Sequence, residues 1–149
     1  MVRIKVKLDE EAKELYKKHP EDAGWDLYAT ERTFNIIKQK DGIEGIDYIH
    51  YGTGVHVEIP KGYVGLIFPR SSVYKYDLDL SNCVGVIDSG YTGEIMFKFK
   101  QRTFDGLSYE VGDRIGQIIF MKLPDVELEY VDSLEETARG KGGFGSTGA

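Results

Sequence analysis

Apolar residues fall at every second position in one stretch of this chain after another, and no long segment repeats at the 3.6-residue spacing of a helix. Val2, Ile4, Val6 and Leu8 alternate with Arg3, Lys5 and Lys7. Val55, Val57 and Ile59 enclose His56 and Glu58. Ile95, Phe97 and Phe99 alternate with residues that include Lys98, and Val126, Leu128 and Tyr130 enclose Glu127 and Glu129. A period of two puts the apolar side chains on one face, which predicts half-buried strands. Leu66–Phe68 and Ile115–Phe120 are short apolar runs of the kind found in buried strands. Turn signals separate these pieces: Asp41-Gly42, Pro60-Lys61-Gly62, Ser89-Gly90, Asp105-Gly106 and Gly112-Asp113. Many short strands between regular turns predict an all-β sandwich, jelly roll or barrel. One exception is expected near the start, where Asp9 reads as the N-cap of a short charged helix, Glu10 to Lys18, closed by Pro20. Residues 31–51 carry Phe34, Ile36, Ile37, Ile46, Tyr48 and Ile49 around Lys40-Asp41-Gly42, which predicts an extended hairpin.

Charge and cysteine content narrow the function classes. The 149 residues make one domain, with 25 acidic against 19 basic side chains and a net charge of −6. That balance argues against a nucleic-acid coat, which needs a basic footprint, but not against a small anion held by a few local cations. Cys83 is the only cysteine, so no intrachain disulfide can form, which fits a reducing compartment. It reads as a small buried side chain in an apolar strand rather than a nucleophile, since no histidine lies near it. No apolar run approaches the roughly 20 residues of a membrane span, and the charged N-terminus lacks a signal core. The expectation is a soluble cytoplasmic protein with neither nucleic acid nor membrane as partner.

Five clusters carry chemistry. Ala23-Gly24-Trp25-Asp26-Leu27-Tyr28-Ala29 places a carboxylate among large apolar residues, where it needs a partner such as Arg70 or Arg114. Pro69-Arg70-Ser71-Ser72 puts a guanidinium and two hydroxyls at the mouth of a strand, although a surface turn has the same composition. Asn82 to Tyr91 offers an amide, a carboxylate (Asp88) and an aromatic hydroxyl; Asp88 before Ser89-Gly90 is equally the signature of a turn. Gly112-Asp113-Arg114-Ile115-Gly116-Gln117 enters a strand with Gln117 as a neutral phosphate or backbone partner. The tail RGKGGFGSTGA, residues 139–149, has the glycine content of a frayed end. It also holds Arg139, Phe144, Ser146 and Thr147 on a backbone free to turn its N–H groups toward an anion. It is not a Walker A loop, because GxxxxGK[ST] is missing. A mobile arm closing over a polyphosphate suits it better, with Arg139 gripping terminal oxygens and Phe144 stacking on a base.

In this order the five clusters resemble the five motifs of the trimeric deoxyuridine triphosphate nucleotidohydrolases, the dUTPases. The resemblance runs from residue 23 to 148 and is most specific at RGKGGFGSTG. It implies a distorted jelly-roll β-barrel over residues 1–138 and a substrate-closing arm over 139–149. It implies a homotrimer whose active sites are shared between subunits, and Mg²⁺-dependent hydrolysis of dUTP to dUMP and pyrophosphate. That reaction limits uracil in DNA and supplies dUMP for thymidylate synthesis. Matched residue by residue, Asp88 is the base that activates the attacking water. Arg70, Ser71, Ser72 and Gln117 match polyphosphate-binding positions. Asn82, with the strand backbone of Gly85, Val86 and Ile87, matches the uracil edge, and Tyr91 matches the tyrosine under the deoxyribose that leaves no room for a 2′-hydroxyl. Arg139, Gly145, Ser146 and Thr147 match the γ-phosphate contacts, and Phe144 the cover over uracil. Asp26 matches a supporting aspartate. Mg²⁺ is expected on the triphosphate and water rather than on protein ligands.

The sequence departs from that pattern in places. Thr92 stands where many members carry arginine, and the segment between the first two motifs is several residues longer, the surplus falling in the 31–51 hairpin. Two alternatives are expected to compete. One is a dCTP deaminase, or a bifunctional deaminase and dUTPase, in which Lys98 occupies the position of a required glutamate. The other is a dUTP-binding regulator that meets a protein partner, with the 31–51 hairpin as its contact.

Overall fold

The computed structural model describes residues 1–38, 42, 44–103 and 105–143. Within them lie nine strands: β1 (Lys5–Leu8), β2 (Trp25–Tyr28), β3 (Glu31–Lys38), β4 (Glu44–Glu58), β5 (Tyr63–Phe68), β6 (Leu78–Leu80), β7 (Gly85–Ile87), β8 (Glu94–Gln101) and β9 (Arg114–Lys122). They form two sheets. One runs β1-β4-β8-β6, with β3 also paired to β4; the other runs β2-β9-β5-β7. All named pairings are antiparallel. The two sheets face each other as an open, distorted jelly roll, as the alternation predicts.

The alternating residues fill the space between the sheets. Ile49 and Tyr51 of β4 stand opposite Phe99 and Phe97 of β8, and all four are fully buried. Tyr51 meets Phe99 edge-on at 5.9 Å, and Tyr109 joins the group. Leu27, Ile115 and Ile118 close it from the other sheet. Burying side chains of this size contributes about 1.5–3 kcal/mol each. Gly116 permits that closeness, since a Cβ there would fall 2.1 Å from Phe97 Cε1.

The long strand β4 bends between Gly52 and His56, where its register on β8 shifts. Gly54 takes φ +62°, and Glu94 Oε1 accepts hydrogen bonds from the Thr53 and Gly54 amides, both at 2.8 Å. A bulge leaves backbone donors without ladder partners, and this carboxylate receives them. Thr53, the one buried polar residue among those described, donates its hydroxyl to the Ile95 carbonyl at 2.6 Å.

Three expectations need correction. No helix forms over Glu10–Lys18. Tyr16 instead exchanges backbone hydrogen bonds with Asp26 at 3.0 and 2.7 Å, which a helix would forbid. A charged segment of nine residues is too short to hold helix against that competition. Val126, Leu128 and Tyr130 form no strand in this chain and are 72%, 73% and 93% exposed. Their alternation marks a face that no strand of the same chain covers. Cys83 is exposed, not buried, and lies in the turn between β6 and β7 at φ +59°. The hairpin over 31–51 is present as β3 and β4, paired from Glu31↔Gly52 to Lys38↔Glu44. Lys40 and Asp41 of its turn lie outside the described residues.

Candidate functional site

Asp26 and Gln117 face each other across β2 and β9, and Gln117 faces Phe68 across β9 and β5. Pro69 and Arg70 continue from Phe68, so three motifs meet at one end of three neighbouring strands. Asp26 Oδ2 receives Arg70 Nε and Arg114 Nη1, each at 3.1 Å. The carboxylate set among apolar residues thus finds both arginines that the sequence offers. Arg70 Nη1 also donates to Ser72 Oγ at 3.2 Å, and Gln117 Nε2 donates to the Pro69 carbonyl at 3.1 Å. Ser71 opens a 3₁₀ turn, Ser71–Lys75, and is exposed. Arg70, Arg114, Asp26 and Gln117 line a cavity of about 490 Å³, joined by Tyr16, Lys17, Lys18 and Asp22. Four cations against two carboxylates make this wall suited to an anion.

A second cavity, of about 200 Å³, runs along β7 and the turn after it. Asn82, Gly85, Val86, Ile87, Asp88 and Tyr91 all line it, together with Glu94 and Met96 of β8. Asp88 ends β7 in an exposed position, and its carbonyl accepts the Tyr91 amide at 3.0 Å. The turn is therefore real, and it leaves the Asp88 carboxylate free to face the cavity. Tyr91 donates its hydroxyl to the Glu94 carbonyl at 2.8 Å, and a Cβ on Gly93 would strike the Tyr91 ring. Val86 is 61% exposed, an apolar wall open to solvent in the single chain.

The predicted residues therefore fall into two groups that one chain does not bring together. Asp26 and Asp88 lie at opposite edges of the β2-β9-β5-β7 sheet. Three strand spacings separate them by roughly 14 Å. Ile87 pairs with Gly65, whereas Gln117 pairs with Phe68, which adds about 10 Å along the strands. Arg139 belongs to neither group here; it is exposed and donates Nε to the Gly142 carbonyl at 3.2 Å. Phe144, Gly145, Ser146 and Thr147 lie outside the described residues. Glu94, Met96, Tyr16, Lys17 and Lys18 were not among the expected site residues. For Glu94 and Met96 the signal was present, since both lie outward in the β8 alternation.

Two facing sheets with an anion-suited cavity and a separate carboxylate-ended cavity define a jelly-roll protein built to handle a polar, charged ligand. The family model for dUTPase matches residues 10–148, and the chain belongs to that family. The deoxyuridine 5'-triphosphate nucleotidohydrolase of Desulfitobacterium hafniense (strain DSM 10664 / DCB-2) is 39% identical over 99% of both chains. That of Fusobacterium nucleatum is 34% identical over 99% of this chain and 97% of its own. Among solved structures, the dUTPase of Staphylococcus bacteriophage 80alpha with dUPNHPP superposes with a TM-score of 0.80 at 27% identity, covering both chains completely. The dUTPase of phage phi11 of S. aureus, which coordinates a structural Mg(II) ion, matches with a TM-score of 0.70 at 26% identity. It covers 91% of this chain and 100% of its own.

Proposed function

We propose that this chain hydrolyses dUTP to dUMP and pyrophosphate at sites that separate copies of it build together. The curated relatives are named for this reaction. The observation that carries the shared site is the division just described. Arg70 and Gln117 sit on one cavity and Asp88 on another, too far apart for one triphosphate to engage both. A closed ring of copies, each placing its β7 end against the Arg70 end of the next, joins the halves and repeats the site by symmetry. The family resemblance makes that ring a trimer.

In the joined site Asn82 and the β7 backbone read the uracil edge. A site that must pair its own polar groups rejects a mismatched base strongly. Tyr91 fills the space a 2′-hydroxyl would need. Arg70, Ser71 and Gln117 hold the phosphates, with Asp26 fixing the Arg70 side chain. Asp88 takes a proton from a water whose oxygen attacks the α-phosphorus. The bond to the bridging oxygen breaks, and pyrophosphate leaves with the electron pair. Residues 139–149 close over the nucleotide, Arg139 and Thr147 at the γ-phosphate and Phe144 over the base.

Among the described residues, no three His, Cys, Asp or Glu side chains converge on one point. This favours Mg²⁺ arriving on the triphosphate and its waters, so no side chain of the chain is assigned as its ligand. The bound ion supplies charge neutralisation of the phosphate oxygens. A cytoplasmic location suits a chain whose single cysteine is an exposed thiol and whose described residues include no helix able to cross a membrane. Lys98 stands on the solvent side of β8, 5.0 Å from the Tyr48 ring and outside both cavities, so it supplies nothing to a deamination.

The test is product release from dUTP, dCTP, dTTP and UTP in parallel, with Mg²⁺ and with EDTA. Pyrophosphate from dUTP alone, abolished by EDTA, is the expected result. Ammonia from dCTP would reassign the chemistry, and dUTP binding without turnover would leave the protein a regulator.

A further inference from the structure

His56 is held between two groups that can only accept a hydrogen bond. Its Nδ1 lies 3.0 Å from the Thr92 carbonyl oxygen, and its Nε2 lies 3.1 Å from Asp9 Oδ2. A neutral imidazole has one N–H and can serve only one of them. Serving both requires the imidazolium. Hydrogen bonds from His56 and Lys7 hold the Asp9 carboxyl below the usual carboxylate range, so it offers no proton of its own near neutral pH. In the same way Asp9 first, and the Thr92 carbonyl second, push His56 up from the ordinary imidazole value.

The charged surroundings agree. Lys7 pairs with His56 in the β1–β4 register and binds Asp9 Oδ1 at 3.0 Å. Lys5 is engaged by Glu58 at 2.8 Å. Glu94 stands opposite His56 on β8, but its Oε1 is taken by the Thr53 and Gly54 amides. The His56 side chain is 21% exposed, so the contact is partly shielded from water.

The other end of this clamp is the substrate cavity. Thr92 directly follows Tyr91, which lines the cavity beside Asp88 and bonds to the Glu94 carbonyl. His56 thus ties the middle of the 88–94 loop to the turn after β1. We propose that His56, as an imidazolium, is a positioning residue for dUTP binding: it pins the Thr92 carbonyl to Asp9 and so fixes Tyr91 under the sugar. This inference rests on the dUTP reading given above. Loss of the proton leaves one of the two acceptors without a donor and frees the loop. Substrate affinity therefore weakens as pH rises through the His56 pKa, which lies above the ordinary value of about 6.5.

The test is KM and kcat for dUTP from pH 6 to 9, using the full chain with saturating Mg²⁺, for the native protein and His56→Gln. The glutamine keeps one donor and cannot titrate. Native KM is expected to rise about three- to tenfold relative to His56→Gln across this range, with the kcat ratio constant. Asp9→Asn is expected to move the native inflection to lower pH, and it carries the comparison if His56→Gln fails to fold. Parallel KM profiles for native protein and variant would overturn the proposal. Ring ¹⁵N shifts of His56 give a readout that does not depend on activity. Both nitrogens are expected to be protonated at pH 6.5, and one bare nitrogen there would overturn the clamp. If the native protein does not hydrolyse dUTP at all, the functional reading fails, and the ring shifts alone decide on the clamp.

Discussion

Arg70 Nε lies 3.1 Å from Asp26 Oδ2, and the two residues come from strands that are not neighbours in their sheet. The same oxygen also receives Arg114, so one carboxylate orients two guanidinium groups and leaves net positive charge at the cavity wall. Its side chain is 17% exposed, enough cover for the pair to matter beyond a surface ion pair. Asp26→Asn is expected to lower stability by about 1–3 kcal/mol, because two partly covered cations lose their common partner. It also lets Arg70 drift from the phosphates. Thermal melts and dUTP kinetics together check this, with KM expected to rise about tenfold. An unchanged KM would remove Asp26 from the site.

Two glycines separate function from stability. A Cβ on Gly24 would fall 2.3 Å from Gln117 Oε1, a side-chain end that can swing away. Gly24→Ala is therefore expected to cost little in melting temperature while raising KM, if Gln117 holds phosphate. A Cβ on Gly116 would meet Phe97 Cε1 at 2.1 Å and the Phe68 carbonyl at 3.0 Å, in a fully packed core. Gly116→Ala is expected to cost about 1–3 kcal/mol or more in denaturant unfolding.

Tyr109 is 1% exposed, and its hydroxyl finds no partner in the structure. Leaving such a group dry costs about 1–3 kcal/mol. Tyr109→Phe is expected to hold or raise stability at neutral pH. Burial pushes the Tyr109 hydroxyl up to about 12, so the folded chain keeps a proton that the unfolded chain releases near 10. Stability then falls as pH rises from 10 toward 12, and Tyr109→Phe should flatten that fall. Chemical denaturation at pH 7 and across pH 9–11 measures both effects.

Asp88→Asn removes the base and keeps the shape. Turnover is expected to fall about 10²–10⁴-fold while dUTP binding, followed by calorimetry, persists. Retained turnover would mean that the water is activated by another group.

The alternation of Val55, Val57, Ile59, Ile95, Phe97 and Phe99 was enough to predict a two-sheet core, because burial follows side-chain face. Asp26 was legible for a related reason: a carboxylate among Trp25, Leu27 and Tyr28 must be paired. The segment 10–18 misled because local charge and capping say nothing about the bridge Tyr16 makes with Asp26, a contact set by tertiary structure. Cys83 misled because the apolar run around it hides a break between Leu80 and Gly85. Val126, Leu128 and Tyr130 have strand alternation without a partner in their own chain, something periodicity cannot register. The separation of Arg70 from Asp88 could not be read from motif order, since it follows from which strands pair. His56 was read as an outward strand residue, and its two acceptors come from distant turns.

The central claim is that the two half-sites of one chain serve different active sites, and mixing two inactive variants tests it most directly. Asp88→Asn retains the phosphate half and Arg70→Ala retains the base. Each alone is expected to be inactive. Refolded together in equal amounts, they should recover about a quarter of native activity, since random trimers place an intact base against an intact phosphate half at one site in four. Activity no greater than the sum of the two separate variants, in trimers shown by mass spectrometry to contain both, would contradict the claim.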